Sequence, residues 1–112
     1  MPAELTTIVL DCADPAALAA FYAKALGREV TYQDEDTVQL GNLGFQRVAG
    51  YRGPGWPDDA KHAHLDLRVT DLDRAVREFE ALGATKPGFQ PGGTGWVVLA
   101  DPEGHLFCLI PG

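Results

Sequence analysis

Residues 8–27 read IVLDCADPAALAAFYAKALG, and residues 64–84 read HLDLRVTDLDRAVREFEALGA. Each stretch opens on alternating apolar residues, Ile8, Leu10 and Cys12 in one, Leu65, Leu67 and Val69 in the other. Alternation of this kind is the signature of a strand with one buried face. Each run then meets an aspartate, Asp14 or Asp71, which is a favoured helix N-cap. Pro15 follows the first of them at the position where a helix tolerates proline best. Both helices end in Ala-Leu-Gly, at Ala25-Leu26-Gly27 and Ala81-Leu82-Gly83, with glycine where a helix stops. Strand, cap, helix and stop recur in the same order, so the chain carries an internal duplication.

Working outward, residues 5–12 (LTTIVLDC) form the first strand and residues 16–26 the first helix, with Leu18, Phe21, Tyr22 and Leu26 at helical spacing. Strands are predicted over 29–33, 37–40 and 44–48, with turns at 34–36 and Gly41-Asn42. Residues 50–61 (GYRGPGWPDDAK) are rich in Gly and Pro and read as the joint between halves. The second half follows with a strand over 62–69, a helix over 72–82, and strands over 84–86, 95–99 and 106–110. Asp101-Pro102-Glu103-Gly104 is the turn between the last two. The expected fold is α+β: two tandem βαβββ modules forming a cupped mixed sheet around one cavity, with the helices on the outer face. Module one spans about 5–49, the linker about 50–61 and module two about 62–112, as a single domain over 1–112.

A chain of 112 residues suits one compact domain with a real core. Its apolar content of 46% excludes a disordered segment. The net charge of −7 repels phosphate backbones and anionic membranes, and no Lys/Arg cluster offsets it. Neither nucleic acid nor a membrane is an expected partner. The opening Met-Pro-Ala-Glu-Leu lacks a basic region and a long apolar run, so no signal peptide is read and the expected location is cytoplasmic. Two cysteines, Cys12 and Cys108, are too few for a disulfide scaffold and lack zinc-finger spacing.

Side chains alternate along strands, which sorts the candidate site residues. Ile8, Leu10, Cys12, Leu65, Leu67 and Val69 are expected to pack against the helices, with Phe107 and Leu109. The opposite, concave face then carries Thr7, Val9, Asp11, His64, Asp66 and Arg68, with Leu106, Cys108 and Ile110. Apolar walls with a few polar groups suit a small-molecule pocket; the plainer alternative is a solvated sheet face. Trp56, in the linker, either plugs the core or lids the cavity. Trp96 packs on the helix or lines the pocket, depending on register. Phe45, Tyr51 and Phe89 are further aromatic candidates, and Asp66 and Arg68 are a candidate pair. The two cysteines are expected on opposite faces and unbridged.

The stretches at 8–27, 64–84 and 95–112 (GWVVLADPEGHLFCLIPG) resemble the vicinal oxygen chelate superfamily, the glyoxalase/bleomycin-resistance/extradiol-dioxygenase group, and within it the short glyoxalase-like domains. The resemblance implies metal-ligand positions on the concave strands. These fall on Thr7, His64, Cys108 and, in the strand closing module one, near Gln46. Only His64 matches the usual donor. Thr is a poor ligand and Cys favours a softer metal. The implied function is therefore binding of a small, partly apolar or aromatic molecule without the full family metal set. No cofactor is expected. At most His64, Gln46 and Cys108 would hold a divalent metal such as Zn, Ni, Mn or Fe, and a metal-dependent lyase or isomerase is the alternative. His64 is the candidate catalytic acid or base, the role histidine side chains most often take in proton transfer. The resemblance further implies a homodimer.

Overall fold

The computed structural model describes residues 4–58 and 63–112. His62 and the end of the linker at 59–61 lie outside the described residues. The chain divides into two compact units, Met1–Arg52 and Gly53–Gly112. The fold is mixed α+β, with one small mixed sheet and one helix in each unit, in keeping with two tandem βαβββ modules.

In the first unit β1 (Ile8–Cys12) leads into α1 (Pro15–Leu26), and β2 (Tyr32–Gln33), β3 (Thr37–Leu40) and β4 (Leu43–Arg47) follow. The strand order is β1-β4-β3-β2, with β1 parallel to β4 and the other pairs antiparallel. A parallel pair needs a crossover, and α1 belongs to it. The Asp14 side chain accepts the backbone N–H of Ala17 at 3.2 Å, and Gly27 closes the helix at φ 64°. At the β2–β3 turn the Tyr32 hydroxyl donates to Asp34 at 2.6 Å. That bond holds the Asp34 carboxyl below its usual range and raises the Tyr32 phenol.

The second unit repeats the plan with β5 (Leu65–Val69), α2 (Leu72–Leu82), β6 (Val97–Ala100) and β7 (Leu106–Pro111). Its order is β5-β7-β6, again with the first strand parallel to the last. Asp71 caps α2 by accepting from Arg74 N–H at 3.1 Å, and Gly83 ends it at φ 117°. Replacing either cap, Asp14→Ala or Asp71→Ala, is expected to cost about 1 kcal/mol, read as a shift in urea midpoint at constant slope. An unchanged midpoint in both variants would remove the caps from the account of these boundaries.

The strand expected over 84–86 is reduced to one bridge, Thr85 to Ala100. Pro87 follows directly, has no N–H to give a ladder, and restricts Lys86. Beyond it the Gln90 side chain stands in for a strand. Its amide donates to the Val98 carbonyl at 2.8 Å and accepts the Val98 N–H at 2.9 Å. The edge of β6 is thereby satisfied at Val98 by a side chain, beyond the single backbone bridge at Ala100.

Each helix covers one face of its own sheet, but not the strand that the alternation suggests. α1 lies over β3 and β4, where Tyr22 stacks on Phe45 with ring centres 5.3 Å apart. α2 lies over β7, where Phe79 meets Phe107 at 5.2 Å. The first strand of each module is an edge strand that the helix reaches only in part. Cys12 is fully buried, yet Ile8 is 47% exposed, and Leu65, Leu67 and Val69 are half-buried. The expectation that Ile8 packs under the helix is corrected on that ground. Phe45, a candidate pocket aromatic, belongs instead to the helix-side core.

Candidate functional site

The residues of interest in the second unit are sorted by β7. Phe107 and Leu109 are fully buried, and Phe107 points at α2. Leu106, Cys108 and Ile110 alternate with them and so occupy the other face. There Leu106, Cys108 and Val98 form a small apolar cluster, against which Trp56, Trp96, Ala100 and Ile110 pack half-buried. The register Val98 to Cys108 explains why Trp96, two residues before Val98, shares this face rather than the helix side. The Trp96 ring lies so close to Gly92 that a β-carbon there would clash with it. Trp56 also meets Phe89, with ring centres 5.3 Å apart.

The polar end of the same face is built across β5 and β7. Their parallel register sets Asp66 opposite Cys108, and His64 lies two residues before Asp66, on the same side. The His64 Nε2 is 3.1 Å from Asp66 Oδ1, both side chains reachable by solvent. Cys108, only 4% exposed, brings its sulfur within 4.8 Å of the ligand atoms of both. Asp66 thus pairs with His64. Arg68, next on this face, lays its aliphatic stem against the backbone of Gly112. Both cysteines are thiols, and the Cys12 sulfur lies 3.5 Å from the Gln46 carbonyl, on the helix side of its own sheet.

In the first unit Thr7, Val9, Asp11 and Gln46 share one sheet face. Asp11 is opposite Gln46 and Val9 opposite Gly44. The methyl groups of Thr7 and Val9 lean over Gly44, each 3.5 Å from where a β-carbon would sit. The face is exposed at Val9, Asp11 and Gln46. These four residues form one set on the first sheet, and Trp56, His64, Asp66, Arg68, Trp96, Cys108 and Ile110 form another in the second unit.

Sequence reasoning misses three side chains. Gln90 had no motif to mark it. Asp101 reads only as part of the 101–104 turn, and His105 only as the residue beside it. In the structure Asp101 is 2% exposed and accepts three hydrogen bonds. They come from the N–H groups of Glu103 (2.8 Å) and His105 (3.0 Å) and pair its other oxygen with His105 Nδ1 (2.8 Å). The Asp-x-Glu-x-His spacing is the signal that would have found this network, since short polar side chains bond the backbone two residues on.

The duplicated modules, each with its first strand parallel to its last, define the class as a vicinal oxygen chelate fold. The family model of the glyoxalase-like domain matches residues 7–110, and the chain belongs to that family. A glyoxalase/bleomycin resistance protein/dioxygenase family enzyme from Burkholderia phytofirmans is 20% identical, with a TM-score of 0.71 over 96% of this chain and 97% of that one. A protein from Agrobacterium tumefaciens gives 19% identity and a TM-score of 0.73, over 97% of each chain. A genomically encoded fosfomycin resistance protein from Listeria monocytogenes gives 19% and 0.71, over 100% of this chain and 95% of that one. At such identities the likeness is one of fold. No curated protein matches the chain significantly.

The donor set does not fit the hard-metal site that the family resemblance implies. Thr7 offers a hydroxyl, Gln46 an exposed amide and Cys108 a thiol, where carboxylates and imidazoles would suit such an ion. Among the described residues no helix is long and apolar enough to cross a membrane.

Proposed function

We propose that this glyoxalase-like protein binds a small, partly apolar or aromatic molecule against the sheet face of module two. The observation that supports this reading is the pairing of two surfaces at Cys108. The cluster under Trp56, Trp96 and Ile110 presents rings and aliphatic groups, and His64 and Asp66 present polar atoms beside it. Ligand sites combine mostly apolar walls with a few orienting polar groups in this way. Aromatic rings half-buried at such a face offer stacking area at little entropic cost.

The chain has two tryptophans, and both pack against this cluster. Their emission therefore reports the site directly. Titration with planar metabolites and antibiotics in the presence of a metal chelator is expected to give saturable quenching. Trp96→Ala is expected to weaken that binding about tenfold, the loss of one stacking contact of about 1.4 kcal/mol. A flat response across the panel would leave the tryptophan-covered face as a second core surface. The reading includes a cytoplasmic location and a homodimer, the latter as the family resemblance implies, and a solution mass equal to one chain would remove the dimer from it.

A further inference from the structure

We propose that His64, Asp66 and Cys108 form a site for one soft divalent ion, zinc or a similarly thiophilic metal, built within module two alone. The inference is independent of small-molecule binding. It takes up the misfit between the hard-metal positions and the residues that occupy them.

Three donor types converge here: an imidazole, a carboxylate and a thiol. Their ligand atoms all lie within 4.8 Å of one another, with the His64–Asp66 pair at 3.1 Å. Donors held about 2.0–2.3 Å from a tetrahedral zinc sit roughly 3.3–3.8 Å apart. The Asp66 and His64 side chains reach solvent, so modest rotations bring all three to that spacing. Cys108 is the fixed point, since its backbone is paired on both sides, to β5 and to β6. The parallel register of Asp66 against Cys108 supplies the carboxylate that the family-type positions lack.

The donor chemistry selects the ion. A thiolate with an imidazole favours zinc over magnesium, calcium or manganese, which prefer all-oxygen sets. Three protein donors leave a fourth position for water or a ligand atom. On binding, a metal–sulfur bond forms, the thiol proton passes to solvent and the metal sheds water, so affinity falls as pH falls.

The test is titration of the reduced full-length chain with cobalt(II), followed by optical absorption, with zinc competing the cobalt away. A thiolate-to-cobalt charge-transfer band is expected to saturate at about one equivalent. Cys12→Ser should keep the band and Cys108→Ser should abolish it. Asp66→Asn should weaken binding at least about tenfold, while Thr7→Ala and Gln46→Ala should change it by less than about twofold. Far-UV circular dichroism checks folding of the buried Cys108→Ser; if that variant misfolds, the solvent-reachable Asp66→Asn decides. No band in the parent chain, a band surviving Cys108→Ser, or losses in Thr7→Ala or Gln46→Ala equal to that in Asp66→Asn would each overturn the single-module site.

Discussion

Asp101→Ala is expected to lower stability by about 3 kcal/mol, since it removes the acceptor of two backbone N–H bonds and one imidazole contact in a buried place. The Asp101 side chain is fully buried, so water does not readily replace what its oxygens accept, although His105 is only partly buried. The turn at stake joins β6 to β7, and β7 carries Cys108 and Ile110. Its backbone is also closed by Asp101 N–H to the His105 carbonyl at 2.8 Å and by Gly104 N–H to the Asp101 carbonyl at 2.9 Å. Those two bonds survive the substitution but lose the side chain that orients the loop. Asp101→Asn is the informative companion. Its amide oxygen still accepts from Glu103 and His105 N–H, and the other His105 tautomer can accept from its NH₂ group, so the expected cost is only about 1 kcal/mol. Urea unfolding of the three proteins separates these cases. A loss below about 1 kcal/mol in Asp101→Ala would mean that the backbone bonds alone hold the turn.

The two helices were legible almost to the residue because each carries its own punctuation. Asp14-Pro15 and Gly27, like Asp71 and Gly83, act through bonds formed within a few residues of themselves. The strand over 37–40 was equally clear, since its alternation is local. Where the reading fell short, the cause was not local. Ile8 has the right parity for the helix side but lies on an edge strand that α1 only partly covers. The segment at 84–86 has strand character, yet Pro87 and the Gln90 side chain leave it one bridge. The site shows the same limit. Alternation places His64 and Asp66 on one side of β5 and Cys108 on one side of β7. It cannot say that Asp66 lies opposite Cys108, because that register is set across the whole of α2 and β6. Periodicity thus shows which residues share a face and leaves open which of them meet.

Phe107→Ala and Ile110→Ala, two substitutions on one strand, are expected to fail in different ways, and the difference tests the partition of β7 into a core side and a site side. Phe107 is fully buried and its ring meets Phe79 of α2. Removing it deletes the ring contact between that helix and its sheet and leaves a cavity the size of a ring. Such losses cost about 3–5 kcal/mol, a large share of a total stability of roughly 5–15 kcal/mol. Ile110 is half-buried on the opposite face, beside the tryptophan-covered cluster. Its truncation opens no closed cavity, so the expected cost is about 1 kcal/mol. Ligand-induced tryptophan quenching should weaken in Ile110→Ala, whereas any Phe107→Ala protein that remains folded should quench with near-parental affinity. The alternation permits no mixture, because successive side chains on a strand cannot share a side. If Ile110→Ala destabilises as much as Phe107→Ala and leaves quenching untouched, the face that carries Cys108 is a second core surface, and the ligand-binding reading fails with it.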